Sequence, residues 1–261
     1  MSLPAENSPD LPRFLTALPV YNECRHVTSV LDEVVKYATD VLVVNDGSTD
    51  CTRKFLADRE DVDVVVHPEN RGYGAALQTA FDYAIVHRYD VVVTIDCDGQ
   101  HEPQRITQLV EQCRHADIVS GSRYLHIPRS TEEVPADRRQ INQIVTAELN
   151  ERLGLNLTDA FCGFKAYRTR SLAQLTLTET GYAMPLELWV QAACRGLKIE
   201  EVAVPLIYLD EERSFGGALD AANVRLDYYR QVIDRAMKSA CPDVSLDAPA
   251  KICDLGVQPC H

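Results

Sequence analysis

Short apolar runs alternate with longer amphipathic stretches through the first half of the chain. The short runs are rich in β-branched residues and have the length of strands. They lie at residues 14–18, 41–44, 62–66, 91–95 and 118–119. The longer stretches repeat apolar positions at helical spacing and lie at residues 27–37, 49–58, 75–87 and 103–115. This alternation predicts an α/β fold with a mostly parallel sheet, and the nearly continuous apolar strands predict helices on both faces.

The rhythm changes after residue 121. A polar, proline-bearing segment at 126–137 predicts a loop or lid. Along residues 219–237, apolar positions recur at three- and four-residue steps, so one face of a helix there should pack on the core. The other elements expected in this half are helices at 138–153 and 184–195 and a strand at 199–204.

The 261 residues carry a formal net charge of −13. So acidic a chain would repel a polyanionic backbone, which argues against nucleic acid as a main partner but leaves room for a local nucleotide site. No apolar run approaches the roughly 18–20 residues that span a bilayer, and the start lacks the pattern of a secretory signal. We therefore expect a cytoplasmic protein, in which residues 13–240 form one domain between a flexible N-terminus (1–12) and a disordered tail (241–261).

The nine cysteines include no Cys-x-x-Cys pair, and the seven histidines include no His-x-x-x-His pair. These spacings argue against a disulfide framework and against zinc sites. Most cysteines are therefore expected to be small core residues in a reducing compartment, and any metal should be held by carboxylates.

Two carboxylates, Asp96 and Asp98, flank Cys97 directly after the apolar run at 91–95. Because side chains alternate along an extended backbone, both carboxylates can face one crevice, with Cα atoms about 7 Å apart, while Cys97 turns away to pack. Oxygen ligands at the carboxyl end of a strand suit a divalent cation bridged to a diphosphate. A solvated turn is the alternative.

A second acidic turn follows the run at 41–44. Asp46 stands at the end of that strand, where it can accept hydrogen bonds from a base or ribose, and Gly47 permits a tight turn. Alternatively, Asp46 and Asp50 cap the next helix, for which Ser48 or Thr49 is a suitable N-cap.

Glycines open the helix predicted at 75–87. They would let the backbone approach a phosphate or a neighbouring strand closely, but residues 70–76 match neither a dinucleotide fingerprint nor a Walker loop. For Gly72, a packing or turn role therefore competes with contact to a bound phosphate.

Together these segments resemble the family 2 glycosyltransferases of the GT-A fold, in particular the dolichol-phosphate mannosyltransferase-like, polyprenyl-phosphate glycosyltransferase branch. The resemblance runs from about residue 15 to residue 217. Its motifs are LPVYNE (18–23), VNDGSTD (44–50), NRGYG (70–74), DCDGQHEP (96–103) and GSRY (121–124). The resemblance implies a Rossmann-like three-layer sandwich and inverting transfer of a hexose from a nucleoside-diphosphate sugar of the GDP-mannose or UDP-glucose type.

The same resemblance assigns a donor site. Asp96 would lie near the donor diphosphate, Asp98 would be the principal ligand of Mg²⁺ or Mn²⁺, and Gln100 would lie beside it. The residues implied to bind the rest of the donor are Pro19, Tyr21, Glu23, Asp46 and Gly72.

On the acceptor side, the resemblance implies that Arg123 faces a phosphate, with a surface salt bridge as the alternative. Asp159 and Glu187 are candidates to orient or deprotonate the acceptor. A phosphate acceptor is already ionised near neutral pH, whereas a hydroxyl acceptor needs a carboxylate within reach. Polyprenyl phosphate at a membrane surface is the acceptor that this branch suggests, and a homo-oligomer stays open.

The resemblance is incomplete around Arg213. Gly217 and Ala218 stand where the family usually carries Ser-Lys, so one cation near the phosphates is missing, although Arg213 is still expected to stabilise the leaving group. Two other readings stay open: a non-catalytic donor-binding sensor or subunit, and a sugar-phosphate nucleotidyltransferase. The latter would carry a basic, Gly-rich loop in place of residues 19–23.

Overall fold

A computed structural model of the protein describes residues 11–126, 136–207 and 217–240. The helices and strands expected within these ranges are present, with bounds that shift by a few residues. The expected N-terminal segment and lid lie almost wholly outside the described residues, and the expected tail lies wholly outside them.

The described strands form one seven-stranded sheet in the order β3-β2-β1-β4-β6-β5-β7. β1 pairs in parallel with β2 and β4, β2 with β3, and β5 with β7, as the alternating pattern predicts. The strands are β1 (Phe14–Val20), β2 (Val41–Asn45), β3 (Asp63–Val66), β4 (Val91–Thr94), β5 (Ile118–Ser122), β6 (Lys165–Arg168) and β7 (Ile199–Ala203).

The sequence pattern does not predict β6, which lies between β4 and β5 and runs antiparallel to both. Its four residues, KAYR, carry two cations and show no strand pattern. Lys165 is nevertheless 2% exposed, because neighbouring strands and the two helical layers enclose it. Tertiary pairing here overrides local propensity.

Helices cover both faces of the sheet, as the apolar strands predict. One buried cluster lies on the α3, α5, α7 and α8 side, and a second lies on the α1 and α4 side. The buried face of α8 includes Tyr229 and Ile233, which confirms that this helix packs on the core. No helix among the described residues is long and apolar enough to cross a membrane. The helices are α1 (Val27–Val34), α2 (Thr52–Ala57), α3 (Tyr73–Val86), α4 (Ile106–Gln112), α5 (Ala136–Leu153), α6 (Thr169–Leu172), α7 (Met184–Cys194) and α8 (Ala222–Ala240).

The register of the parallel strands brings several loops to one edge. Val20 pairs with Asn45, and Asn45 pairs with Val66. The residues that follow these strands therefore emerge side by side at the carboxyl edge, where open α/β sheets bind ligands.

Candidate active site

A cavity of about 970 Å³ opens at the carboxyl edge of the sheet. Loops that follow β1, β2, β4 and β5 line it, together with α5 and α8. Its volume suits a nucleotide-sized ligand with room beside it. The sequence-predicted residues that line it are Pro19, Tyr21, Glu23, Asp46, Gly72, Asp96, Asp98, Gln100 and Arg123.

The loops after β1 and β2 are hydrogen-bonded to each other. Asn22, with a φ of 55°, accepts bonds at Oδ1 from the backbone N–H groups of Thr49 (2.8 Å) and Asp50 (3.3 Å). Neither Ser48 nor Thr49 is the helix N-cap, because the cross-loop bonds hold this segment outside the helix. α2 begins at Thr52 and its N-cap position is Cys51, so Asp50 is not the N-cap either, although its Oδ1 accepts a bond from the backbone N–H of Thr52 (2.9 Å).

A disulfide between Cys24 and Cys51 joins the loop after β1 to the start of α2, with a Cα–Cα distance of 5.4 Å. For these two cysteines the expectation of small, unpaired core residues is wrong, because they are bonded to each other and neither is buried. The pair is 27 residues apart and meets because the two loops follow neighbouring strands, which sequence spacing does not reveal. Cys97, Cys113 and Cys162 are buried thiols, as expected.

Asp46 does not cap a helix. Its Oδ1 accepts a bond from the backbone N–H of Arg71 (2.9 Å), and its Oδ2 accepts one from Gly72 (2.8 Å). The imidazole Nδ1 of His67 lies 2.6 Å from Oδ1. Asp46 thus lines the cavity and fixes the turn that precedes α3.

The geometry of Gly72 decides one of the two roles considered for it, the packing or turn role. Its φ is 103°, and an added Cβ would lie 2.4 Å from the carbonyl oxygen of Thr180. The packing role of Gly72 is therefore shown by geometry, while its place in the cavity lining leaves contact with a bound phosphate as a prediction.

Asp96 lies beyond β4, which ends at Thr94, so strand alternation does not place it. Tyr73 Oη donates to Asp96 Oδ1 (2.9 Å), and His101 Nε2 lies 3.5 Å from Oδ2. Burial favours the protonated acid, but His101 and Tyr73 outweigh it and hold the pKa of Asp96 below its usual range. A Cβ on residue 163 would lie 2.0 Å from Oδ2, so Gly163 makes the space for this carboxylate.

Asp98 and Gln100 belong to the turn after β4. Asp98 is 8% exposed, and its Oδ1 accepts a bond from the backbone N–H of Gln100 (2.9 Å). With Asp96 they present oxygen ligands of the kind that Mg²⁺ and Mn²⁺ prefer. Two carboxylates and an amide fill only part of a coordination sphere, which fits a cation that also binds a diphosphate.

Among the described residues, one group of three His, Cys, Asp or Glu side chains lies close enough together to share a metal. It consists of Cys24, Asp50 and Cys51. Its two sulfurs are bonded to each other in the disulfide, so they offer no thiolate ligand. The metal site expected at Asp96 and Asp98 stays a prediction.

Arg123 and Asp159 form a two-bond ion pair. Arg123 Nε donates to Oδ2 (2.7 Å) and Nη2 donates to Oδ1 (2.9 Å). Asn142 Nδ2 and the backbone N–H of Phe161 also donate to Oδ1. Although Asp159 is fully buried, Arg123 holds the pKa of this carboxyl well below its usual range. Asp159 is thus an ionised anchor beneath Arg123, and Arg123 is the member of the pair that lines the cavity.

Glu187 on α7 is 6% exposed and lies outside the cavity lining. Its Oε2 accepts bonds from the backbone N–H groups of Thr178 (2.8 Å) and Glu179 (2.7 Å). The carboxylate of Glu187 therefore has hydrogen-bond partners, which are backbone amides of the loop that leads to Tyr182. Arg213 lies outside the described residues.

Three further arginines that the sequence motifs did not mark line the cavity: Arg25 in the loop after β1, Arg138 and Arg225. Arg138 lies on α5, and Arg225 on α8 is 2% exposed and donates from Nη1 to the carbonyl oxygen of Leu219 (2.8 Å). Arg123, Arg138 and Arg225 define what we call the arginine half of the cavity. A second group, which we call the acidic half, consists of Glu23, Asp46, Asp50, Asp96 and Asp98, and Arg25 lies in the same loop as Glu23.

Aromatic rings also line the cavity. Tyr182 stacks on Tyr73 with ring centroids 5.8 Å apart, and Phe161 packs on Tyr229 at 5.0 Å. Tyr182 is 41% exposed. Tyr73 belongs to the NRGYG motif, but sequence reasoning did not predict that these four rings line one cavity, because they come from four separate segments.

Comparison with known proteins agrees with this geometry. The family model described as "Glycosyl transferase family 2" matches residues 16–176. An undecaprenyl-phosphate mannosyltransferase of Micrococcus luteus is 32% identical over 225 residues, covering 82% of this chain and 92% of that protein. A polyprenol monophosphomannose synthase of Mycolicibacterium smegmatis is 29% identical over 225 residues, covering 82% and 83%.

Solved structures support the fold. Glucosyl-3-phosphoglycerate synthase from Mycobacterium tuberculosis, in complex with Mn²⁺, UDP and glucosyl-3-phosphoglycerate, superposes with a TM-score of 0.66 at 21% identity. The match covers 90% of this chain and 82% of the other. The same enzyme has also been solved with Mg²⁺ and UDP.

The chain thus belongs to glycosyl transferase family 2, and it is a glycosyltransferase with the GT-A fold. Its resemblance to the polyprenyl-phosphate branch is confirmed by the two mannosyl-transferring relatives.

Proposed function

We propose that this enzyme transfers a hexose from a nucleoside-diphosphate sugar, of the GDP-mannose or UDP-glucose type, to polyprenyl phosphate with inversion. One observation carries the proposal: a single cavity has an acidic half and an arginine half. An acidic half suits a cation that bridges to a diphosphate, and an arginine half suits an acceptor phosphate.

The donor would occupy the acidic half. Pro19, Tyr21, Glu23 and Asp46 would contact its base and ribose, as the family resemblance implies. Asp98, with Gln100 and Asp96 beside it, would hold Mg²⁺ or Mn²⁺. When bound, the cation neutralises charge that develops on the leaving diphosphate.

The acceptor phosphate would bind Arg123, with Arg138 and Arg225 adding positive charge. Asp159 holds two of the guanidinium nitrogens, so the orientation of Arg123 is set before a ligand arrives. A phosphate is already ionised near neutral pH and attacks without a general base. Asp159 therefore positions Arg123, Glu187 positions the loop before Tyr182, and neither needs to accept a proton. Arg213 remains a proposed cation for the leaving group.

An apolar wall next to the arginines suits the first units of an isoprenoid chain. Its members are Ile141, Phe161, Leu206, Ile207 and Tyr229. Such a substrate lies in a bilayer, so the proposal includes peripheral association of the enzyme with a membrane surface.

The donor site is tested by a thermal-shift titration with GDP, UDP and their hexose conjugates, each with and without Mn²⁺. A ligand that binds only the native state raises its melting temperature. We expect metal-dependent stabilisation by one nucleotide, and Asp98→Ala should lose that stabilisation while keeping the unliganded melting temperature. Asp82→Ala, an exposed acid on α3, is the matched control and should behave as wild type. Stabilisation of the Asp98 variant equal to wild type would contradict the metal assignment.

A further inference from the structure

His67 follows β3 and lies behind the acidic half of the cavity. Its backbone N–H donates to the carbonyl oxygen of Asn45 (2.9 Å), and its side chain is 5% exposed. Nδ1 lies 2.6 Å from Asp46 Oδ1, and Nε2 lies 2.9 Å from Thr79 Oγ1 on α3. The ring thus bridges a buried carboxylate and a helix, and it does not itself line the cavity.

Asp46 is also hydrogen-bonded to the turn before α3. The same Oδ1 atom accepts the backbone N–H of Arg71, and Oδ2 accepts that of Gly72. A Cβ on Gly47 would lie 2.3 Å from the backbone carbon of Glu69, so the loops after β2 and β3 pack without free space. Three donors on one carboxylate fix its orientation, and a small rotation of Asp46 would shift both amides.

Tyr73 connects this turn to Asp96, another carboxylate of the acidic half. Tyr73 follows Gly72 directly, and its hydroxyl donates to Asp96 Oδ1 (2.9 Å). His67, Asp46, Gly72, Tyr73 and Asp96 therefore form one continuous set of bonds. These bonds connect Asp46, which we place at the base and ribose, to Asp96, which we place at the diphosphate.

We propose that His67 is a positioning residue for nucleotide-sugar binding. It acts through Asp46 and touches no substrate. The inference rests on the proposed function, because it requires a donor in the acidic half. A carboxylate accepts hydrogen bonds, so Nδ1 of His67 must donate to Asp46, and loss of a donor to a buried charge weakens whatever that charge holds.

The test is the dissociation constant of the nucleotide that stabilises the wild type, GDP or UDP, measured by calorimetry with Mn²⁺. We expect His67→Ala to raise it by about tenfold or more, and to raise the donor KM similarly with a smaller effect on kcat. His67→Asn places an amide N–H near the position of Nδ1 and should recover most of the affinity. Thr79→Val removes the hydroxyl beside Nε2, together with its bond to the carbonyl oxygen of Ala75, and leaves the contact with Asp46 intact, so it should have a smaller effect than His67→Ala.

His115, which is exposed and distant in sequence, provides the matched control as His115→Ala. Rescue by Asn distinguishes positioning from general packing, because Asn replaces the donor and not the volume of the ring. Wild-type affinity in His67→Ala, or equal loss in the Ala and Asn variants, would overturn the inference. If His67→Ala does not fold, His67→Phe, which keeps a ring and lacks the donor to Asp46, takes its place: a tenfold loss in His67→Phe with affinity near wild type in His67→Asn supports the proposal, and wild-type affinity in His67→Phe contradicts it. A wild type that binds neither nucleotide would defeat the proposed function, and this inference with it.

Discussion

The two halves of the cavity are built differently. In the acidic half, carboxylates lie in the loops that follow parallel strands, and Asp46 and Asp96 are held there by backbone amides and neighbouring rings. In the arginine half, the cations come from a strand end and two helices, and only Arg123 follows a sheet strand directly. The acidic half is therefore fixed by the sheet register, whereas the arginine half depends on how α5 and α8 pack against it.

The difference is also electrostatic. Buried carboxylates in the first half are shielded from one another by amide, hydroxyl and imidazole donors, and a cation would add to that shielding. In the second half, Asp159 takes up part of the positive charge of Arg123 and leaves its remaining donors toward the cavity. Perturbing one half should therefore leave ligand binding in the other half largely intact.

The largest expected effect is on the anchor of the arginine half. Asp159→Asn removes the buried charge that faces Arg123, and breaking such a pair costs about 3–5 kcal/mol. The folded-state pKa of Asp159 lies well below its unfolded value, so its contribution is complete above about pH 4 and is lost as the pH falls further. The gap between wild type and variant in the free energy of unfolding should be widest at neutral pH and narrow in acid.

Denaturant unfolding at several pH values between neutral and about pH 3 measures that gap. Asp234→Asn, which removes a surface partner of Arg152, is the control and should cost less than about 1 kcal/mol. A gap for Asp159→Asn that does not change with pH would contradict the assigned ionisation.

The next effect is on the acidic half alone. Gly163→Ala would place a methyl group 2.0 Å from Asp96 Oδ2, so that carboxylate must move. A displacement of about 1 Å can cost about a hundredfold in a positioned site. We expect a loss of this order in metal-dependent nucleotide affinity, measured by calorimetry.

A double variant isolates the cause. In Gly163→Ala with Asp96→Ser the clash partner is shortened, so the melting temperature should recover relative to Gly163→Ala, while nucleotide binding should not. Recovery of neither would show that Gly163 matters for another reason, such as its own backbone.

The smallest expected effect is on acceptor binding. Arg138→Gln removes one cation from the arginine half and should raise the KM for polyprenyl phosphate by about tenfold, with nucleotide affinity unchanged. Arg152 lies on the same helix and pairs with Asp234 outside the cavity, so Arg152→Gln serves as the control. A parallel loss of nucleotide affinity in Arg138→Gln would show that the two halves are not separable.

The same contrast explains what could be read from the sequence. The strands, the parallel sheet and the acidic turns follow from local patterns, because a run of apolar residues and the carboxylate after it are adjacent in the chain. β6 was not predicted, since its pairing with β4 and β5 is set by tertiary contacts and not by its own four residues. The contact between Asp96 and Gly163 joins residues far apart in the chain and leaves no pattern in it.

Residues that meet only through contacts between distant segments of the chain make up much of the site. His67, Tyr182, Arg138 and Arg225 belong to no motif that we recognised, although His67 does directly follow a predicted strand, which was a usable signal. The disulfide was missed for the same reason, because Cys24 and Cys51 meet only through neighbouring strand ends. The roles of the predicted site residues remain predictions, and Arg213 lies beyond the described residues.

The central claim is that one cavity brings a nucleotide sugar and a lipid phosphate together. It is tested most directly by incubating the enzyme with GDP-[¹⁴C]mannose or UDP-[¹⁴C]glucose, polyprenyl phosphate in detergent, and Mn²⁺, then counting label in the organic phase. We expect label from one donor that requires both the metal and the lipid phosphate, and that is absent with Asp98→Ala. Metal-dependent binding of a nucleotide without any transfer to the lipid would contradict it.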